Sequence, residues 1–143
     1  MKIVDLNVLL YAVNSEAAQH ERAREWWENA VNDEDLIGLA WVVLLGFLRL
    51  STNPRVFPRP LAPDVAAAKL DAWLGRGNVR VVHEKAEHWR TLKKLLVGAG
   101  TAGNLTTDAH LAALALSHDA VLVSTDTEFA RFKGLRLENP LQS

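Results

Sequence analysis

Three aspartates occupy matching places along this chain, and their joint pattern suits the chemistry of a hard divalent cation. Asp5 follows the short apolar run Ile3-Val4, Asp108 stands in Thr106-Thr107-Asp108-Ala109-His110, and Asp126 follows Val121-Leu122-Val123-Ser124-Thr125. An acid at the carboxyl end of a buried parallel strand points into the crevice where open α/β sheets bind ligands. Carboxylates gathered there repel one another unless a cation neutralises them. Mg2+, held by one or two carboxylates with water and phosphate oxygen in its other positions, meets that need. The pattern predicts a metal-dependent enzyme acting on a phosphodiester. Each acid also has a plainer reading by itself: Asp5 as a helix cap, Asp108 as an anion in a first helical turn, Asp126 as a turn former. Their common position at one edge of one sheet is what favours the metal.

Asn7, Thr107, Thr125 and Glu128 are candidates to support the acids through hydrogen bonds or water, although such residues more often serve as caps and turns. His110 is offset from Asp108 by two residues, which puts the side chains on different helix faces. No Gly-x-Gly-x-x-Gly, P-loop, Gly-x-Ser-x-Gly or His-Glu-x-x-His pattern occurs, so those chemistries have no footing. Cysteine is absent, which excludes disulfides, thiolate metal sites and a cysteine nucleophile, and is compatible with a reducing cytoplasm.

These acids need a scaffold, and 143 residues with 49% apolar content and five Trp suffice for one domain over 1–143 with a proper core. Met1-Lys2-Ile3-Val4-Asp5 does not read as a secretory signal, because the acid interrupts it. The uncharged stretch Leu36 to Leu48 is too short to span a bilayer and reads as core, so no membrane association is expected. The net charge of −1 does not advertise nucleic-acid binding. Setting aside the three site aspartates, however, leaves 14 acids against 16 basic residues, so a positive rim around an acidic centre is open to this chain.

Periodicity predicts strands at Lys2 to Val4, Leu36 to Leu39, Val79 to Val82, Ala120 to Ser124 and Leu135 to Leu137. Helices are expected at Leu6 to Val13, His20 to Val31 and Trp41 to Leu50. Another should be capped by Asp64 and carry Ala66, Leu70, Trp73 and Leu74; one more uses Ala86, Trp89, Leu92 and Leu96; the last runs from Ala109 to Ser117. A short helical turn is expected from Glu128 to Phe132. The proline-rich loop Pro54 to Pro60 should be extended and exposed. All five Trp are expected in the core. Short apolar strands alternating with helices indicate an α/β sandwich with a central, mostly parallel sheet and helices on both faces.

Three segments carry a family resemblance: Val4-Asp5-Leu6-Asn7-Val8-Leu9-Leu10, Phe47-Leu48-Arg49-Leu50-Ser51-Thr52-Asn53-Pro54, and Asp108-Ala109-His110-Leu111-Ala112-Ala113-Leu114-Ala115 followed by Ser124-Thr125-Asp126. In this order they resemble the PIN domain, and the length suggests the VapC-type toxins of toxin–antitoxin pairs. The resemblance implies a PIN-like three-layer α/β/α fold, a Mg2+ or Mn2+ site at Asp5, Asp108 and Asp126, and endoribonuclease activity on RNA. It also implies a VapB-type antitoxin and, commonly, a homodimer. Most PIN domains carry a glutamate on the helix before the Phe-Leu-Arg segment, where this chain has Gly46; a branch of the family shares that glycine. Glu128 acting through water is a candidate substitute. Arg49, Arg55, Arg59 and Arg131 are candidates for RNA phosphate contacts. Two other readings remain open: a PIN-like scaffold that binds RNA or protein without cutting, and a dehalogenase-like phosphatase with Asp5 as nucleophile. The second lacks the acid expected two residues on, where Asn7 stands.

Overall fold

The structure is a computed structural model that describes residues 1–142. Five parallel strands form one sheet in the order β3-β2-β1-β4-β5: β1 is Lys2–Val4, β2 Ile37–Ala40, β3 Val79–Val82, β4 Val121–Val123 and β5 Arg136–Glu138. Ile3 lies opposite Gly38 on one side and Leu122 on the other, so β1 is the middle strand and is apolar on both faces. Ile3, Val4, Leu39, Leu122 and Val123 are buried completely, as expected for a parallel sheet covered on both sides.

Among the described residues six helices cover it: α1 Leu6–Val13, α2 His20–Val31, α3 Trp41–Ser51, α4 Pro63–Leu74, α5 His88–Ala99 and α6 Thr106–Ser117. The step from β1 through β2 to β3 runs in one direction across the sheet, and the return from β3 to β4 runs in the other. Right-handed crossovers therefore put α1 to α4 on one face and α5 with α6 on the other. The packing agrees, since α1 touches α2 and α3, α3 touches α4, and α5 lies along α6. The expected α/β/α sandwich is what forms, with a sheet that is wholly parallel. Chain direction reverses between β1, which leads towards β2, and β4, which leads towards β5. Ligands bind outside the carboxyl ends of strands at such a switch point.

Several sequence expectations need correction. Helix α4 starts at Pro63 with Ala62 in the cap position, so Asp64 lies inside the first turn; proline's fixed φ and missing N–H suit that first position. Phe57, in the loop expected to be exposed, is 2% exposed. Trp89 and Trp41 are 65% and 52% exposed, whereas Trp27 is buried and packs edge-on with Trp73, which in turn meets Phe47. Helix α5 has the right apolar spacing but no fully buried residue, because α6 packs along one side of it and much of its surface stays bare. The last correction is one of register: β2 ends at Ala40, and Leu36 lies outside the strand and is exposed.

Candidate active site

The middle strand delivers Asp5 to the switch point. Its backbone is extended while Leu6 begins α1, so Asp5 is both the strand's end and the helix's cap: Oδ1 accepts the Leu6 N–H at 2.8 Å. Oδ2 accepts the Ser124 hydroxyl at 2.7 Å. Capping and a functional role are therefore not alternatives here, because each ionised carboxylate oxygen has a further lone pair to offer. Burial pushes the Asp5 carboxyl up from its usual range; the Ser124 and Leu6 hydrogen bonds pull it back, and Asp126 adds to the rise.

Ser124 is the residue that sequence reasoning missed. It follows β4 directly, is buried, and its hydroxyl gathers three segments. Besides donating to Asp5, the oxygen accepts the Asp126 N–H at 3.0 Å and the Asn7 side-chain amide at 3.4 Å. The Asn7 carbonyl oxygen accepts the Thr125 N–H at 3.5 Å. Asn7 and Thr125 thus tie α1 to the segment after β4. A hydroxyl between a strand and an acid in Val123-Ser124-Thr125-Asp126 was the available signal; only its distance from Asp5 along the chain concealed the partner.

Asp126 caps a short 3-10 turn, Thr127–Arg131, by accepting the Glu128 N–H at 2.9 Å. Asp108 stands in the first turn of α6. Its carboxyl is pushed up from 3.8 to about 6, first by burial and then by the negative charges of Asp5, Asp126 and Glu128. Acids from three parts of the sequence therefore meet at the switch point, where Asp5, Asp126 and Glu128 act on Asp108. They line two adjoining cavities that share Asp108 and Asp126. One, of about 440 Å3, adds Glu128 and Arg131; the other, of about 320 Å3, adds Asp5, Asn7 and Thr107. The second has an apolar side formed by Leu6, Leu10, Val42 and Leu111.

The acids are close enough to interact but do not form a ready-made cage: among the described residues, no three His, Asp or Glu side chains are gathered to ligate one ion directly. As a donor set they are all oxygen, which suits Mg2+ or Mn2+ and not a soft metal. Gly46 faces Leu6. A Cβ at Gly46 would stand 2.5 Å from Leu6 Cδ2, so the leucine side chain fills the place where a longer residue on α3 would project.

Of the arginines, Arg131 reaches the site; it lines the larger cavity and donates to Glu128 at 3.2 Å. Arg49 and Arg55 are exposed elsewhere, and Arg59 approaches Glu16 at 3.9 Å; none of the three lines either acidic cavity. His110 turns away from Asp108, as its offset requires. It meets His88, ring nitrogen to ring nitrogen, at 2.9 Å, and Glu84 at 3.6 Å.

Residues 2–135 match the family model of the PIN domain. The chain belongs to the PIN-domain family. Relatives of this PIN domain include ribonuclease VapC37 of Mycobacterium tuberculosis, 44% identical over 98% of this chain and 97% of that protein. Ribonuclease VapC33 of the same species is 43% identical over 99% of each. Among solved structures, VapBC2 from Rickettsia felis bound to a promoter DNA fragment superposes with a TM-score of 0.70 at 22% identity, covering 96% of this chain and 97% of that one. VapC20 of M. tuberculosis, a sarcin-ricin loop cleaving toxin, gives 0.68 at 21%, over 95% and 99%. At those identities the likeness concerns the fold. Among the described residues of this PIN domain, no helix is long and apolar enough to cross a membrane.

Proposed function

We propose that the chain is a metal-dependent endoribonuclease toxin of the VapC type, cutting RNA phosphodiesters at the carboxyl ends of β1 and β4. One observation carries this reading: four acids meet at the switch point, and their mutual repulsion helps to hold Asp108 near 6. The names of its relatives, ribonucleases at up to 44% identity over nearly the whole chain, supply the reaction. Asp5 and Asp108 would hold one Mg2+ or Mn2+, with Asp126 as a direct or water-mediated ligand; Mg2+ commonly takes only one or two carboxylates. When bound, the ion lowers the pKa of a water nucleophile and stabilises charge on the phosphorus centre.

The chain's own residues do the rest. Ser124 fixes the rotamer of Asp5 and draws the Asp126 backbone towards it. Asn7 and Thr125 hold α1 and the segment after β4 together, so the acids keep their spacing. Glu128 keeps Arg131 on the wall of the cleft, where a guanidinium suits a phosphate oxygen. RNA fits such a cleft better than duplex DNA, since exposed single-stranded loops enter without unwinding. The deciding assay is cleavage of total RNA by wild type and Asp5→Asn, with Mg2+ and with chelator. Equal cutting in all four conditions would overturn the mechanism.

Among the described residues no three-acid cage is preformed, and this favours attention to a second reading, a PIN scaffold that binds RNA or protein without cutting. Calorimetric titration with Mg2+ and Mn2+ separates the two, because a scaffold gives no heat at physiological metal concentrations. The VapC names of its relatives, together with the fold it shares with a chain solved in a VapBC complex, lead us to assign this chain a small VapB-type antitoxin. Expression of the chain alone then arrests growth, and co-expression of the adjacent small gene relieves it. A homodimer in a cytoplasmic setting completes the proposal.

A further inference from the structure

A cavity of about 530 Å3 lies beside the acidic cleft, between the end of α5 and the 3-10 turn. Its volume falls within the roughly 300–1,000 Å3 typical of ligand sites. Leu95, Leu116 and Phe132 make an apolar floor, and Lys94, Arg131 and Lys133 supply three cations at its edge. Arg131 lines this cavity and the larger acidic one alike, so the two adjoin at its side chain. Its guanidinium donates in two directions, one nitrogen to Glu128 at 3.2 Å and the other to the Ala99 carbonyl at 3.5 Å. Lys94 and Lys133 are exposed and form no ion pair among the described residues.

We propose that this cavity is a nucleotide subsite, holding one residue of single-stranded RNA that flanks the bond cut at the acids, with its base on the apolar floor and its phosphates against Lys94 and Lys133. The assignment rests on the ribonuclease reading for the neighbouring cleft. Charge argues for it, because a polyanion leaving an acidic centre needs cations at its next step, and this edge supplies them. Continuity argues for it as well, since a strand passing Arg131 on one side emerges into the cavity on the other. A positively charged groove with an aromatic face for the bases is the general arrangement by which proteins hold single strands without reading sequence, and Phe132 is the aromatic member of this floor. An acidic peptide shares only the charge; the shared wall with the cleft favours RNA.

The test uses the full chain carrying Asp5→Asn, so that the probe survives, and a short, randomised, fluorescein-labelled oligoribonucleotide read by anisotropy. Lys94→Ala with Lys133→Ala should flatten the slope of log affinity against log salt by about 1.4, near 0.7 for each phosphate that a lysine no longer neutralises. Gly98→Leu is the second probe. Gly98 lines the cavity, a Cβ there meets nothing within 4 Å, and leucine is the better helix former, so the fold tolerates a bulky side chain set at the cavity's lining. It should weaken binding of the normal oligonucleotide and leave a fully abasic one unaffected. An unchanged salt slope together with unchanged Gly98→Leu binding overturns the subsite, even where wild type cuts RNA and chelator stops it. Loss of antitoxin binding with RNA binding intact overturns it in favour of a protein. Equal cutting by wild type and Asp5→Asn sinks the cleavage mechanism alone, and a flattened slope in the lysine variant still supports the subsite.

Discussion

Replacing Asp108 by Asn should make the metal-free protein more stable while ending its activity. Asp108 is held near 6 against 3.8 in an unperturbed chain, by burial and by Asp5, Asp126 and Glu128. Between about pH 4 and pH 6 the folded chain binds a proton at Asp108 that the unfolded chain has already released. Wild-type stability therefore falls as pH rises through that window, and above it the full cost remains. Two pK units correspond to about 3 kcal/mol at most. The side chain is only half-buried, and solvent screening reduces this to about 1–2 kcal/mol. The helix dipole favours an acid in the first turn by roughly 0.3–1 kcal/mol and works the other way. The net gain for Asp108→Asn near pH 7.5 is thus about 1 kcal/mol, or roughly 3–6 °C in Tm. Thermal melts in chelator at about pH 7.5 and pH 4 measure it, and the difference should vanish at the lower pH. Added Mg2+ should raise the wild-type Tm and leave the variant where it was. A variant less stable than wild type near pH 7.5, or a gain equal at both pH values, would refute the electrostatic argument.

Ser124→Ala should cost about 1–3 kcal/mol in denaturant melts and reduce cleavage sharply, because it strips Asp5 of a buried donor and leaves the Asp126 N–H unanswered; activity at the wild-type level would show that the hydroxyl positions nothing. Gly46→Glu alone should destabilise by about 1–3 kcal/mol, since its Cβ meets Leu6, and Leu6→Ala in the same chain should recover part of the loss; additive losses in the double variant would contradict the contact. Glu138→Ala should lower stability by about 1–2 kcal/mol, for Glu138 accepts the Trp26 indole N–H at 2.7 Å and pairs with Lys2 at 2.8 Å. Trp26 emission should shift with it, and an unchanged melt would place the edge strand's stability elsewhere.

Much of this architecture was legible because parallel strands buried on both faces write short apolar runs, and Ile3-Val4 and Val121-Leu122-Val123 are such runs. Asp5, Asp108 and Asp126 could be picked out because each terminates or opens an element. What sequence could not supply was the identity of partners distant along the chain. Ser124 reaches Asp5 across 119 positions, and Leu6, on another helix, occupies the space beside Gly46. Trp89 misled for a different reason: helical spacing gives a face its apolar character but does not supply a neighbour to cover it. Arg49, Arg55 and Arg59 could not be distinguished from Arg131 by type; only the path of the chain after β4 does that.

The central place of β1 has a consequence for the chain as it leaves the ribosome. β2 and β3 can pair beside β1 early, yet its other flank stays bare until Val121–Val123 emerge. At about 5–20 residues per second, the stretch from Val82 to Val121 takes roughly 2–8 s to synthesise. Throughout that interval the nascent polypeptide exposes a hungry hydrogen-bonding edge, and it lacks Asp126 as well. The same late segment that seals the edge also completes the charge cluster, so a half-made molecule is sticky before its acids are assembled.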